Sequence, residues 1–347
     1  MGVKSMGIEC PIIRKGDNIV DIVVESIFKK VGLNGLGDKD VIGITESVIA
    51  RSKGLYVTIN EIVDFLNNHY GSRETVYVIN PIYSRNRFSL ILKAIARYAK
   101  ERVVIIMPDY DEVGNPNGEN PFTGVDIMEF YQEIVETEGI SCYFDKKWIY
   151  TGEQPDELYI YAGLHDYDDF RKKYTNHYSN AITLADICSD RNPDYGLLGS
   201  NKATEDSLKL FPTKIIADEV CEEVKRNIRA QTFKDVIVCC YGDGCFKDPI
   251  GGIWEFADPI TMPGYTDKEI IEGCPNEVKL KAVIDQTETD KDVEATVKKN
   301  TINLRGQMLS QGTTPRVYRD LLASLMDLTS GSGDRATPVV LIQGYFR

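Results

Sequence analysis

Val76-Tyr77-Val78-Ile79-Asn80, then Phe88 to Ala99, then Val103-Val104-Ile105-Ile106-Met107: the reading of these consecutive segments decides the fold class. The two flanking runs are continuously apolar, without the alternation of a strand that is wet on one side. Between them Phe88, Ile91, Leu92, Ile95 and Ala99 recur at helical spacing. An unbroken apolar strand, an amphipathic helix and a second apolar strand describe a sheet buried on both faces, which is the pattern of an α/β domain with a parallel or mixed sheet.

The alternation continues outward from this core. Upstream, Val41 to Thr45 is a short apolar strand running into Glu46 to Arg51, with Gly54 closing the segment. Before it, Ile19 to Val31 predicts a helix with Ile19, Ile22, Val23, Ile27 and Val31 near one face, ended by Gly32 to Gly37. Ile8 to Arg14, followed by Lys15-Gly16-Asp17-Asn18, predicts a strand entering a turn. Downstream, Phe122 to Gly139 and the charged Asp166 to Lys173 predict helices. Ser141 to Phe144, Leu158 to Ala162 and Ala181 to Asp186 predict strands. Thr204-Glu205-Asp206-Ser207 starts what is expected to be a helix reaching Phe211, and Val236 to Cys240 is a strand from which Tyr241 to Cys245 turns away. Helix Val317 to Leu328, a Gly/Ser loop and strand Val339 to Ile342 end the pattern. Pro108 to Thr123, rich in Asp, Gly, Asn and Pro, predicts a long loop, and loops of that length inside compact domains tend to be functional.

Composition narrows the function classes. The 347 residues, 42% hydrophobic and 27% charged, are ordinary globular material, enough for one large core or two modest ones. A net charge of −13 argues against general affinity for nucleic acid or an anionic membrane, since counterion release needs clustered Lys and Arg. No apolar run approaches the about 18 residues a membrane helix needs, and the first residues lack a charged-then-apolar leader pattern. The eight cysteines form no CxxC pair and read as reduced core thiols, so a cytoplasmic location is expected.

Only three histidines, His69, His165 and His177, are present, with no HExxH and no Gly-x-Ser-x-Gly. Ser-His-Asp and histidine-zinc mechanisms are thereby disfavoured, which leaves metal, carboxylate and Lys or Arg, the usual means of phosphoryl transfer. Four places could carry such chemistry. Thr329 to Arg335, including Ser332, Gly333 and Asp334, is a small-residue loop whose amides could wrap a phosphate, or simply a connector. Asp243, between Gly242 and Gly244 at the end of a buried strand, could ligate Mg2+ or Mn2+, or serve its own turn. Asp186, Asp190, Asn192 and Asp194 follow a strand closely enough to converge on one metal, although a solvated loop would look the same. Arg85 and Arg87 flank a strand-to-helix junction and could hold an anionic substrate group, with Asp109, Asp111 and Glu112 on the next strand's edge; ordinary surface charges are the alternative.

Several segments together resemble the coenzyme F-420 gamma-glutamyl ligase family: Pro11 to Asp17, Val41 to Gly54, Asp186 to Asn192, Val236 to Phe246 and Gly333 to Gly344, in that order. The resemblance implies an α/β fold, a mixed sheet with flanking helices of the gamma-glutamyl-ligase type, carrying an inserted α/β segment. It places a nucleotide- and metal-binding core at 1–55 and 180–347 and the insertion at 56–179. It implies a homodimer that uses GTP or ATP with Mg2+ or Mn2+ to join glutamate, or a similar amine, to a carboxylate through an acyl phosphate.

Carried over by position, the nucleotide would be bordered by Pro11, Ile12, Ile13, Glu46, Ser47, Arg51 and Asn192, together with Ser332, Gly333 and Asp334. Metal would be held by Asp186, Asp190 and Asp243, and Arg51 and Asp243 would serve catalysis. Two departures are informative. Arg51 stands where the family has lysine, and the second aspartate strand reads Gly-Asp-Gly-Cys-Phe instead of Asp-Thr-x-Gly-Arg. These changes leave a non-catalytic nucleotide-binding protein of the same fold as an alternative; a transferase using another nucleoside cofactor over the Asp109 loop is a further one. The insertion directs the expected substrate away from the deazaflavin, toward other small carboxylates and amines, with no nucleic-acid or membrane partner.

Overall fold

A computed structural model describes residues 2–112, 114–119, 124–150, 152, 154–242, 262–275, 278, 280–299, 317–330 and 337–346. In chain order the first elements are β1 (Lys4–Ile8), α1 (Ile19–Val31), β2 (Val41–Thr45), α2 (Glu46–Lys53), β3 (Tyr56–Thr58), α3 (Ile59–Tyr70), β4 (Thr75–Ile79), α4 (Arg87–Tyr98), β5 (Arg102–Ile106), α5 (Ile127–Thr137), β6 (Ser141–Asp145) and β7 (Glu157–Tyr161). They continue with α6 (Tyr167–Phe170), prolonged by a π-helical turn, then β8 (Ala181–Thr183), β9 (Ser200–Lys202), β10 (Ser207–Leu210), α7 (Lys214–Thr232), β11 (Ile237–Tyr241), β12 (Gly264–Tyr265), α8 (Lys268–Ile271), α9 (Leu280–Ile284), α10 (Asp290–Lys299), α11 (Tyr318–Ser330) and β13 (Val339–Gln343). The α/β class with mixed sheets and flanking helices, read from sequence, is the class observed.

The chain divides into two compact units. One comprises Met1–Cys10, Val20–Ile44 and Cys221–Arg347; the other comprises Pro11–Ile19 and Thr45–Val220. The second therefore holds the whole span 56–179 and also the α2 and β8–β10 regions on either side of it.

The first unit is built on a sheet of order β1-β13-β2-β11-β12, in which β13 runs antiparallel to both β1 and β2. Strands β2, β11 and β13 are mostly apolar and buried, whereas β1 begins with Lys4 and Ser5 at the edge, and α11 lies against the sheet through Met326. Gly43 of β2 makes that approach possible: a Cβ there would lie 2.3 Å from the Met326 sulfur. The N-terminal strand is displaced from its expected position, running over Lys4–Ile8 and not Ile8 to Arg14. Pro11 has no N–H to give a ladder and Ile12 is 74% exposed, so the apolar run past Ile8 cannot extend the sheet.

The second unit contains a five-stranded parallel sheet of order β6-β5-β4-β7-β8 and a small antiparallel sheet β3-β10-β9. Side chains alternate across the parallel sheet. Val76, Val78, Val103 and Ile105 enter a core with α3, α4 and α5, while Tyr77, Ile79 and Ile106 face an aromatic cluster with Tyr159, Tyr161, Phe170 and Trp148. Tyr77 stacks on Tyr159 at 4.7 Å. Apolar packing on both faces is why these strands read as unbroken apolar runs.

Two local corrections have clear causes. Helix α5 begins at Ile127, later than expected, because the Asp126 carboxylate accepts from the amides of Met128 and Glu129 and sets the N-cap there. Thr204 to Phe211 is not a helix. Leu208 and Leu210 are buried while Ser207 and Lys209 are less so, and the segment pairs as strand β10 with β3 and β9. Among the described residues no helix is long and apolar enough to cross a membrane, and the described cysteines are free thiols, most of them buried.

Candidate functional site

The motif Thr45-Glu46-Ser47 sits where β2 passes into α2. Thr45 is the N-cap residue of α2, with extended backbone, but its side chain makes no capping bond. The N-cap side chain thus leaves the first amides of the helix to other partners, and a helix N-terminus attracts anions. At the other end Gly54, with φ 69°, donates to the carbonyls of Ala50 and Arg51 and closes the helix.

The turn expected at Lys15 to Asn18 is present. The Arg14 amide donates to the Asp17 carboxylate at 2.6 Å, and the Gly16 amide donates to the Ser52 carbonyl at 2.8 Å, which ties this segment to α2. Ile13 is buried and anchors the segment, whereas Pro11 and Ile12 lie at the surface.

Beside α2, β10 supplies a residue the sequence did not single out. The Lys209 ammonium lies 2.5 Å from the Ser47 hydroxyl oxygen and 3.8 Å from Oε1 of Glu46, with the Lys209 and Glu46 side chains 13% and 7% exposed. Asn201 of β9 donates to the same Glu46 oxygen at 3.4 Å. Cation, hydroxyl, carboxylate and amide therefore meet at the start of α2, in a sheltered place. Arg51, one face further round the helix, is exposed. The signal for Lys209 was the alternation Ser207-Leu208-Lys209-Leu210, but its meaning depends on strand pairing across more than a hundred positions of chain.

The acid-rich turn after β8 has a different arrangement. Asp186 accepts from the Thr183 amide at 2.8 Å and hydroxyl at 2.7 Å with one oxygen, and is paired with Arg171 through the other. The Arg171 guanidinium is held more firmly protonated, chiefly by its hydrogen bond to Asp186. Asp190 lines a shallow hollow with Glu61, Asp64 and His69, next to Arg191, which is bonded to Glu61 at 2.6 Å. Asn192 is buried: its amide group donates to the Phe211 carbonyl at 3.0 Å, and its side-chain oxygen accepts from the Tyr195 amide. Asp194 accepts from the Lys214 amide at the start of α7. Among the described residues no group of three or more His, Cys, Asp or Glu side chains is arranged to hold a metal. Asp243, Ser332, Gly333 and Asp334 lie outside the described residues.

The third region is the carboxyl edge of the parallel sheet. Arg87 donates to the Leu198 carbonyl at 2.9 Å, and Arg85 borders a small cavity with Tyr83 and Asn115. Asp109 is at the surface, paired with Lys146 at 2.7 Å. Asp111, 8% exposed, organises the long loop, since its carboxylate accepts from the Tyr83 amide and from both the backbone and side-chain amides of Asn115. Tyr131 fixes the turn into α4 by accepting from the Ser84 amide and donating to the Ile82 carbonyl, and burial pushes its phenol far up from its ordinary range.

Comparison with known proteins bears on the first of these regions. No curated protein matched the chain. A family model described as F420-0:Gamma-glutamyl ligase matches residues 7–344, a range that takes in the β2–α2 elbow and both compact units, and the chain belongs to that ligase family.

Proposed function

We propose that this ligase is nucleotide- and metal-dependent, and that it joins glutamate or a similar amine to a small carboxylate through an acyl phosphate. The observation that carries this reading is the elbow at the start of α2. The helix N-terminus, the Ser47 hydroxyl and the Lys209 ammonium form a donor set suited to nucleotide phosphates. Glu46, held between Lys209 and Asn201, is suited to accept a hydrogen bond from the nucleoside.

In the proposed reaction the terminal phosphoryl group of GTP or ATP passes to a carboxylate oxygen, releasing the nucleoside diphosphate. The amine nitrogen then attacks the acyl carbon, the C–O bond to phosphate breaks, and the amide forms with loss of a proton and inorganic phosphate. The chain's contribution is to position the phosphates and neutralise charge as it develops. Mg2+ or Mn2+ is part of this reading through the family resemblance. Among the described residues no group of three acids, histidines or cysteines is arranged to hold the ion, and both Asp186 oxygens are committed to Thr183 and Arg171. The proposal therefore assigns the metal first to Asp243. A cytoplasmic homodimer completes the reading.

The test is to incubate the protein with GTP or ATP, Mg2+, L-glutamate and a mixture of small carboxylates and to measure nucleoside diphosphate and phosphate. Release that requires both glutamate and a carboxylate supports the ligase. A second reading, a nucleotide-binding protein without turnover, is favoured by Arg51 and by the Gly-Asp-Gly-Cys-Phe strand. Nucleotide binding with no substrate-stimulated release would select it.

A further inference from the structure

The parallel sheet grows from β4 to β5 to β6, then returns to place β7 on the other side of β4. In open α/β sheets such a reversal leaves a crevice at the carboxyl ends of the two central strands, and ligands bind there. In this protein the crevice after β4 and β7 holds a side chain from the long loop. Oε1 of Glu112 accepts from the Tyr161 hydroxyl at 2.8 Å, and Oε2 accepts from the backbone amides of Leu164 and His165 at 2.7 and 2.9 Å.

The donors belong to the sheet and the acceptor belongs to the loop. Tyr161 ends β7, and the segment that follows is bonded back to the sheet through the Ala162 amide and the Ile79 carbonyl at 2.8 Å. Asn80, which follows β4 with φ 51°, also hydrogen-bonds to the Tyr161 phenol. Gly163 leaves the approach open: a Cβ there would lie 2.3 Å from Oε1 of Glu112. Further along the same loop, Asn115, Pro116 and Gly118 border a cavity of about 90 Å3 with Tyr83, Arg85 and Ile127. Burial disfavours the ionised form of a carboxyl in this position, the three hydrogen bonds act against that effect, and Asp166 adds to it.

We propose that the crevice between β4 and β7 is a binding site for the carboxylate of a small ligand, which takes the position now filled by the Glu112 side chain. The cradle has three donors for two oxygens and no lysine or arginine among them, with Asp166 nearby. It suits a monoanionic carboxylate and works against a phosphate dianion. The inference does not rest on the ligase reading, since it concerns binding at the parallel sheet and its assay needs no turnover.

Amide hydrogen exchange of the wild-type protein is measured with acetate, with L-glutamate and with inorganic phosphate as probes. Acetate and glutamate are expected to speed exchange at Asp111 to Asn115 while Leu164 and His165 stay protected; phosphate is expected to do neither. Removing the internal competitor in E112A should tighten acetate binding at least about 10-fold, because a tethered group competes at millimolar effective concentration or above. G163A should abolish the response while circular dichroism stays that of the wild type. Unchanged wild-type exchange at about 100 mM of either carboxylate, far above a useful dissociation constant, overturns the proposal even if E112A is rescued by acetate, since Glu112 is then a structural latch. Phosphate acting as well as acetate overturns the carboxylate assignment.

Discussion

Replacing Lys209 by methionine removes an ammonium from beside a carboxylate while keeping the length of the side chain. The two charges are 3.8 Å apart and their side chains are 13% and 7% exposed. At an effective dielectric near 20 the gross attraction is about 4 kcal/mol, the upper bound on what the pair contributes. Asn201 still reaches Glu46 in the variant, which offsets part of the loss. A destabilisation of about 2–4 kcal/mol is expected, most of it the cost of leaving a buried carboxylate without its cation. E46Q/K209M should therefore recover more than half of the loss. Urea unfolding of a Trp254→Phe background measures both, because Trp148, packed among Tyr150, Tyr159 and Tyr174, then reports on the unit that contains the pair. A loss below about 1 kcal/mol, the range of surface ion pairs, or a double variant no more stable than the single one, refutes the coupling.

Three further outcomes follow from the same geometry. Thr58→Ala removes the side-chain half of a capping box, in which the Thr58 hydroxyl oxygen accepts from the Glu61 amide at 3.2 Å and the hydroxyl donates to the Glu61 carboxylate at 2.8 Å, costing about 1 kcal/mol. The Thr58 amide foremost, with the Thr58 hydroxyl and Arg191, holds the Glu61 carboxyl below its ordinary 4.5; the amide and Arg191 persist in the variant, so the hydroxyl's share of the difference is full above that value and fades as pH falls through the lowered one; a difference between wild type and variant that grows in acid contradicts it. Gly43→Ala forces a Cβ against the Met326 sulfur and should destabilise the first unit by about 1–3 kcal/mol in urea unfolding, partly relieved in G43A/M326A. Asp186→Asn should cost about 1.5–3 kcal/mol through its bonds to Arg171 and Thr183 yet leave Mn2+ affinity unchanged, whereas Asp243→Asn should abolish it; calorimetric loss of Mn2+ binding in the Asp186 variant would return that residue to the metal.

The sheet cores were legible in the sequence because both faces of β4, β5 and β11 are buried. Val103 to Met107 and Ile237 to Cys240 are continuous apolar runs, rich in Val and Ile and too short for a buried helix. Strand β10 was not legible, since Thr204 to Ser207 resembles an N-cap and only Leu208 and Leu210 mark the two-residue period. Its true partners, Thr58 and Val57, are far away in the chain. The same remoteness hid Lys209: Glu46 and Ser47 stand out as a motif, but the cation beside them arrives through the β3–β10 pairing. Asp186 shows the opposite case, in which residue type suggested a metal ligand and tertiary structure supplied a threonine and an arginine. Glu112 was visible only as one acid in a long loop, because its place depends on the strand order of a sheet it does not belong to.

Calorimetric titration of GTP and of ATP into the wild-type protein and into K209M, each with and without Mn2+, tests the proposed binding of nucleotide phosphates at the start of α2. The wild type is expected to bind one nucleotide only when metal is present, and loss of the ammonium at a charge-assisted contact to weaken that binding at least about 10-fold. Absence of binding to either nucleotide in the presence of metal, or equal affinity in K209M, would contradict it.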